Sequence, residues 1–180
     1  MPLFAGRPEK PFNVPHRIAL IGFMGSGKTT VGRLVAARLG YRFLDLDILI
    51  TENAGKSIRV IFDEDGEEAF RRIESDTLYS VREMNRLVIA TGGGAPIRQE
   101  NQEFFENLAA TFYLEVSFKE FISRAGRDSA RPMLDRSEKE VKKLYESRLP
   151  VYRSLGQRVI ADSRPPQEIA AEILKKLAMH

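Results

Sequence analysis

The chain of 180 residues has no cysteine and only two histidines, His16 and His180. Without cysteine there can be neither disulfides nor thiolate metal sites, and the composition is compatible with a reducing cytosol. Both histidines fall outside the folded pattern, so no Ser/His/Asp set or histidine metal cluster can form, which sets aside hydrolase chemistry built on histidine. No apolar run approaches the roughly 20 residues of a membrane span. Charge of one sign is also scarce. Twenty-eight basic residues against 25 acidic ones leave a net of +3, and the basic residues are scattered, so no nucleic-acid partner is expected.

What is present describes an ordinary soluble domain: 43% hydrophobic and 29% charged residues, in a length suited to one core. Met1 to His16 carries four prolines (Pro2, Pro8, Pro11 and Pro15) and no apolar signal-peptide core. It is expected to be a loosely ordered extension (residues 1–16) before a single domain (17–180), in a cytoplasmic, monomeric protein.

Short apolar runs alternate with longer amphipathic ones. The spacing predicts strands at Arg17–Gly22, Arg42–Leu46, Leu87–Thr91, Thr111–Val116 and Arg158–Asp162. It predicts helices at Lys28–Leu39, Ile48–Ala54, Ser57–Phe62, Glu67–Met84, Arg98–Leu108, Ser117–Arg124, Glu138–Ser147 and Pro166–Met179. This βα alternation implies an α/β fold with a five-stranded parallel sheet between two helical layers, with ligands bound beyond the strands' carboxyl ends.

At the end of the first strand, Gly22-Phe-Met-Gly-Ser-Gly-Lys28-Thr29 fits G-x-x-x-x-G-K-[ST] without a mismatch. Strand, glycine-rich loop and helix in that order make a phosphate cradle. Gly25, Ser26, Gly27, Lys28, Thr29 and Thr30 form the nucleotide-binding set. Lys28 would reach the β/γ-phosphates and the Thr29 hydroxyl would ligate Mg²⁺. No Asn-Lys-x-Asp guanine reader occurs, which favours ATP.

A Mg²⁺ site also needs a carboxylate in its shell. Asp162 ends the last strand but is better read as a helix-entry residue. Asp45 and Asp47 end the second strand, where positions i and i+2 project to the same side. Asp45 is the candidate for a Mg²⁺-bound water and Asp47 for the acceptor hydroxyl; strand-end and helix-capping roles explain the same residues. Arg71 sits on a helix where Glu67–Arg71 and Glu68–Arg72 form i,i+4 pairs, so a solvated ionic face accounts for it as well as anion binding does. Arg131 and Arg148 suit bidentate anion binding by type alone. Gly92-Gly93-Gly94 after the third strand is one glycine more than a turn needs, which points to a ligand approaching the backbone. The polar segment 126–136 around Arg131 fits a mobile lid or an ordinary surface loop.

Together, Gly22–Thr29, Phe43–Asp47, Gly55-Lys-Ser-Ile58, Ile61-Phe62, Asp65-Gly-Glu67, Phe70-Arg71, Gly92–Gly94, Arg131-Pro132 and Arg148-x-x-x-Tyr152 closely resemble the shikimate kinase family, in order and spacing from Arg17 to the last helix. The resemblance implies a P-loop NTPase fold like that of the nucleoside monophosphate kinases, with a lid. It implies phosphoryl transfer from ATP·Mg²⁺ to the 3-hydroxyl of shikimate. It also implies Asp47 as catalytic base, Arg71, Arg148 and the Gly93 backbone at the acceptor carboxylate, and Arg131 over the phosphates. Arg124 and Arg164 would flank the adenine, Asp45 would join the Mg²⁺ water shell and Thr29 would ligate the metal. Met133, Val151 and Gly156-Gln157 depart from the usual Leu, Leu and Ala-Asp. A kinase of another hydroxy acid such as gluconate, or a non-catalytic ATP-binding module, is the alternative.

Overall fold

The computed structural model describes residues 14–108, 110–125 and 137–179. The predicted N-terminal extension and the predicted lid with Arg131 lie largely or wholly outside these. Among the described residues the order is β1 (Arg17–Ile21), α1 (Lys28–Leu39), β2 (Arg42–Asp45), α2 (Leu46–Ala54), α3 (Ile58–Ser80) and β3 (Leu87–Ala90). A 3₁₀ turn (Ala95–Ile97) leads to α4 (Gln99–Glu106), β4 (Ala110–Glu115), α5 (Phe118–Ala125), α6 (Glu138–Leu155), β5 (Gln157–Ile160) and α7 (Pro166–Leu177).

The five strands form one wholly parallel sheet in the order β2-β3-β1-β4-β5. The central strands carry apolar runs because helices cover both faces: Ile18 to Ile21, Leu87 to Ala90 and Phe112 to Leu114 are all buried. The sheet order sends β1 past β3 to reach β2, so β1 and β3 end side by side on one edge. The loops that follow them, Gly22–Gly27 and Thr91–Gly94, therefore face each other.

Several element ends shift by one to four residues from the sequence expectation, and three of the differences have a clear physical reason. The second strand ends at Asp45, whose carboxylate accepts the N–H groups of Asp47 and Ile48 and starts α2 at Leu46. Asp47 therefore lies in the first turn of a helix, and the i,i+2 strand geometry does not apply. The two helices expected around Gly66 form α3, broken where Gly66 takes φ 84° and ψ 169°. The helix expected to end at Ser147 runs on through Pro150 to Leu155. An interior proline forfeits a hydrogen bond; the far half of α6 buries Tyr152, which stacks on Tyr113 with ring centroids 5.3 Å apart, and that packing offsets the loss. Asp162 does not cap the helix that follows it: the N-cap of α7 is Pro165, and the Asp162 carboxylate instead accepts the Ser117 N–H ahead of α5.

Candidate active site

The loop after β1 ends at Gly27, whose φ of 88° is left-handed, and α1 opens there without a side-chain cap. The first-turn N–H groups are thus left for an anion, as the helix dipole favours. A Cβ at Gly27 would meet nothing within 4 Å, so the cradle is open on that side. Lys28 Nζ donates to the carbonyls of Gly22 and Phe23 at 2.8 and 2.9 Å and to Ser26 Oγ at 3.3 Å. Ser26 is buried beneath the loop rather than exposed to its cleft.

Beside the loop, the Thr29 hydroxyl donates to Asp45 Oδ2 at 2.6 Å. One Asp45 oxygen thus caps α2 while the other accepts from the loop threonine. A hydroxyl and a carboxylate oxygen side by side are hard donors suited to Mg²⁺. No group of three or more His, Cys, Asp or Glu able to hold a metal occurs among the described residues. The donor set therefore fits a cation held largely by water and phosphate oxygens.

Asp47, two residues on in the first turn of α2, lines the same cleft. Burial, then the neighbouring Asp45, raise its pKa above the ordinary value, with Lys28 and Arg71 opposing. A carboxylate so raised is a better proton acceptor than an exposed one.

The opposite wall is α3. Arg71 Nη1 donates to Glu74 Oε2 at 2.7 Å and lies 3.4 Å from Glu67 through Nη2. Glu74 is 1% exposed; burial raises its pKa and Arg71 opposes this. The expected Glu67–Arg71 pair is present, but Glu68 turns away to Arg98 at 2.8 Å. Glu74 went unassigned in the sequence, although its i,i+3 spacing from Arg71 was the available signal.

The three glycines after β3 supply room. A Cβ on Gly92 would stand 2.7 Å from Asp47 Oδ1 and 3.0 Å from Glu74 Oε1. On Gly94 it would stand 2.1 Å from Arg71 Nη1, and on Gly93 3.3 Å from Arg148 Nη1. What comes close to this backbone is the site's own charged side chains, where the sequence suggested a ligand. Arg148 reaches in from α6 over the Phe23 ring, 5.7 Å from its centroid, and its buried Nε has no partner.

These parts border one cleft of about 810 Å³. Gly25, Gly27, Lys28, Thr29, Thr30 and Asp45 line its loop side, and Asp47, Arg71, Gly92 to Gly94 and Arg148 line the other. Ile58, Phe62 and Phe70, named in the sequence only as part of the resemblance and without a role, add an apolar flank.

Residues 24–178 match the family model described as shikimate kinase. The chain is 38% identical to the shikimate kinase of Sulfurihydrogenibium sp. over 160 residues, covering 89% of this chain and 96% of that one. With the Trichormus variabilis shikimate kinase it shares 42% over 159 residues, 87% of each. Among solved structures, shikimate kinase from Acinetobacter baumannii in complex with shikimate superposes with a TM-score of 0.85 at 34% identity, over 93% of this chain and 95% of that one. The chain belongs to the shikimate kinase family. A gluconokinase from Sinorhizobium meliloti 1021 shares the fold, with a TM-score of 0.58, but at 20% identity the likeness stops there.

In this shikimate kinase family member, two of the arginines carried over for the adenine lie outside the cleft lining. Arg124 ties α5 to the phosphate loop, donating to Gly25 O at 3.2 Å and to Ala161 O at 2.9 Å. Arg164 donates to Ile160 O at 2.8 Å and Glu172 at 2.7 Å, which holds it along α7. No helix among the described residues is long and apolar enough to cross a membrane.

Proposed function

We propose that this kinase transfers the γ-phosphoryl group of ATP to the 3-hydroxyl of shikimate, giving shikimate 3-phosphate, as a cytoplasmic monomer and a single domain. The observation that carries this reading is the meeting, in one cleft, of a phosphate loop with a raised-pKa carboxylate and two arginines spaced by three glycines. A loop alone would bind nucleotide. The second half of the cleft is built for a small hydroxylated anion.

Phosphoryl transfer needs positioning and charge neutralisation more than covalent participation by the protein. The α1 N-terminus and the loop amides hold the polyphosphate, and Lys28 exchanges loop carbonyls for phosphoryl oxygens. Thr29 would ligate Mg²⁺ and Asp45 would orient one of its waters; the ion held there would supply neutralisation of the polyphosphate charge. Asp47 accepts the proton of the attacking hydroxyl. Arg71, held by Glu74, and Arg148, with its free buried Nε, grip the carboxylate at the far end. That two-point grip fixes which hydroxyl faces Asp47. Arg124, next to Gly25, belongs beside the nucleotide base in this scheme, and Arg164 would have to release Glu172 to join it.

ADP release measured with shikimate, gluconate, quinate and nucleoside monophosphates tests this reading. Shikimate is expected to be strongly preferred. Turnover of gluconate with none of shikimate would overturn it.

A further inference from the structure

Tyr152 takes no part in the chemistry above, yet it is fully buried and its hydroxyl ends at the acceptor half of the cleft. That hydroxyl donates to the Gly93 carbonyl at 2.5 Å, and the Arg148 guanidinium comes up to the same glycine. A Cβ built on Gly93 would lie 3.4 Å from the hydroxyl and 3.3 Å from Arg148 Nη1, so loop, tyrosine and arginine meet at one point. Arg148 and Tyr152 are i and i+4 on α6, neighbours on one face. The ring itself is pinned by stacking on Tyr113 of β4, with 28° between the planes.

Resting on the proposed function, we infer that Tyr152 is a positioning residue for the acceptor: it locks the Gly92–Gly94 loop and the Arg148 guanidinium into one unit facing the carboxylate. The loop has no side chains with which to fix itself, and Arg148 has a long flexible stem with an unpartnered Nε. A single buried hydroxyl that bonds the loop carbonyl and stands beside the guanidinium restrains both before the substrate arrives. Burial, with Arg148 opposing, pushes the hydroxyl up to about 12. It therefore stays protonated, and a donor, across the range in which a kinase is assayed.

The test is steady-state kinetics of Tyr152→Phe, Arg148→Lys and the double variant, with shikimate and ATP varied in turn. Losing one hydrogen bond that positions a charged group should raise KM for shikimate by about 3–10-fold, with kcat and KM for ATP within twofold. Because both changes act on one unit, the double variant's KM should fall short of the product of the single effects. An unmoved KM for shikimate, single effects that multiply, or equal changes in the kinetics of both substrates would overturn the inference. Wild-type enzyme that does not phosphorylate shikimate would refute the proposed function and this inference together. Wild-type turnover with an unmoved KM in Tyr152→Phe refutes the inference alone.

Discussion

Gly94 and Arg71 are in contact through the absence of a side chain: a Cβ at Gly94 would stand 2.1 Å from Nη1 and 2.6 Å from the central carbon of the guanidinium. The backbone is set by the 3₁₀ turn that follows Gly94, so the guanidinium is the group that must move, at the cost of its 2.7 Å bond to Glu74. Gly94→Ala must therefore displace Arg71 from its place in the cleft. KM for shikimate should rise roughly 10–100-fold, the worth of a charge-assisted hydrogen bond, while KM for ATP stays within about twofold. Initial-rate measurements with each substrate varied check this, and equal weakening of both substrates would mean a general collapse of the loop.

Asp47 yields a prediction in which activity and stability move apart. Asp47→Asn should lower kcat by about 10²–10⁴-fold, the range typical of general-base removal, with nucleotide binding nearly intact. The folded-state pKa of Asp47 is raised above its ordinary value of 3.8, so the folded protein binds the proton more tightly than the unfolded chain. Stability from this group is greatest at low pH and declines as pH rises through the folded pKa. The asparagine variant escapes that decline. Its Tm should exceed that of the wild type at pH 7 by a few degrees, and the gap should close as pH falls toward about 4. In the wild type, kcat should drop on the acid side of the same transition. Differential scanning fluorimetry across pH, with kcat–pH profiles, tests both halves.

Asp45 serves two partners, and asparagine can replace it for only one. Asn is as good an N-cap as Asp, so Asp45→Asn should keep the bonds from Asp47 N–H and Ile48 N–H and change stability by only a few tenths of a kcal/mol. The lost negative charge should raise the Mg²⁺ concentration needed for half-maximal rate, by about 3–10-fold for one weakened charge-assisted contact. Mg²⁺ titrations at fixed ATP, with melting curves alongside, separate the two roles. A large fall in Tm with unchanged Mg²⁺ dependence would assign Asp45 to the cap alone.

Much of this architecture was legible in the sequence because it is locally encoded. Central strands covered on both faces read as unbroken apolar runs, and the phosphate loop is a contiguous motif between a strand and a helix. The elements that were misjudged depend on contacts distant in sequence. Helix α6 passes through Pro150 because Tyr152 finds Tyr113 and Gly93, which no local rule anticipates. Asp47 read as a strand residue because the Asp45 cap that starts α2 is a matter of side-chain geometry. Arg71 was ambiguous because its exposed partner Glu67 and its buried partner Glu74 lie on the same helix, and only folding shows which one faces the cleft. The three glycines read in the sequence as a place where a ligand approaches the backbone, whereas the groups that stand against them are Asp47, Glu74, Arg71 and Arg148, which only the fold brings there.

The central claim is that the cleft joins a nucleotide half at Gly25–Thr30 to an acceptor half at Asp47, Arg71 and Arg148. ³¹P NMR of a reaction containing the purified protein, ATP, Mg²⁺ and shikimate addresses it most directly. The expected result is stoichiometric loss of the ATP γ-signal and a new phosphomonoester coupled to the proton on carbon 3 of shikimate. Inorganic phosphate as the sole product, or phosphorylation at another hydroxyl, would contradict it.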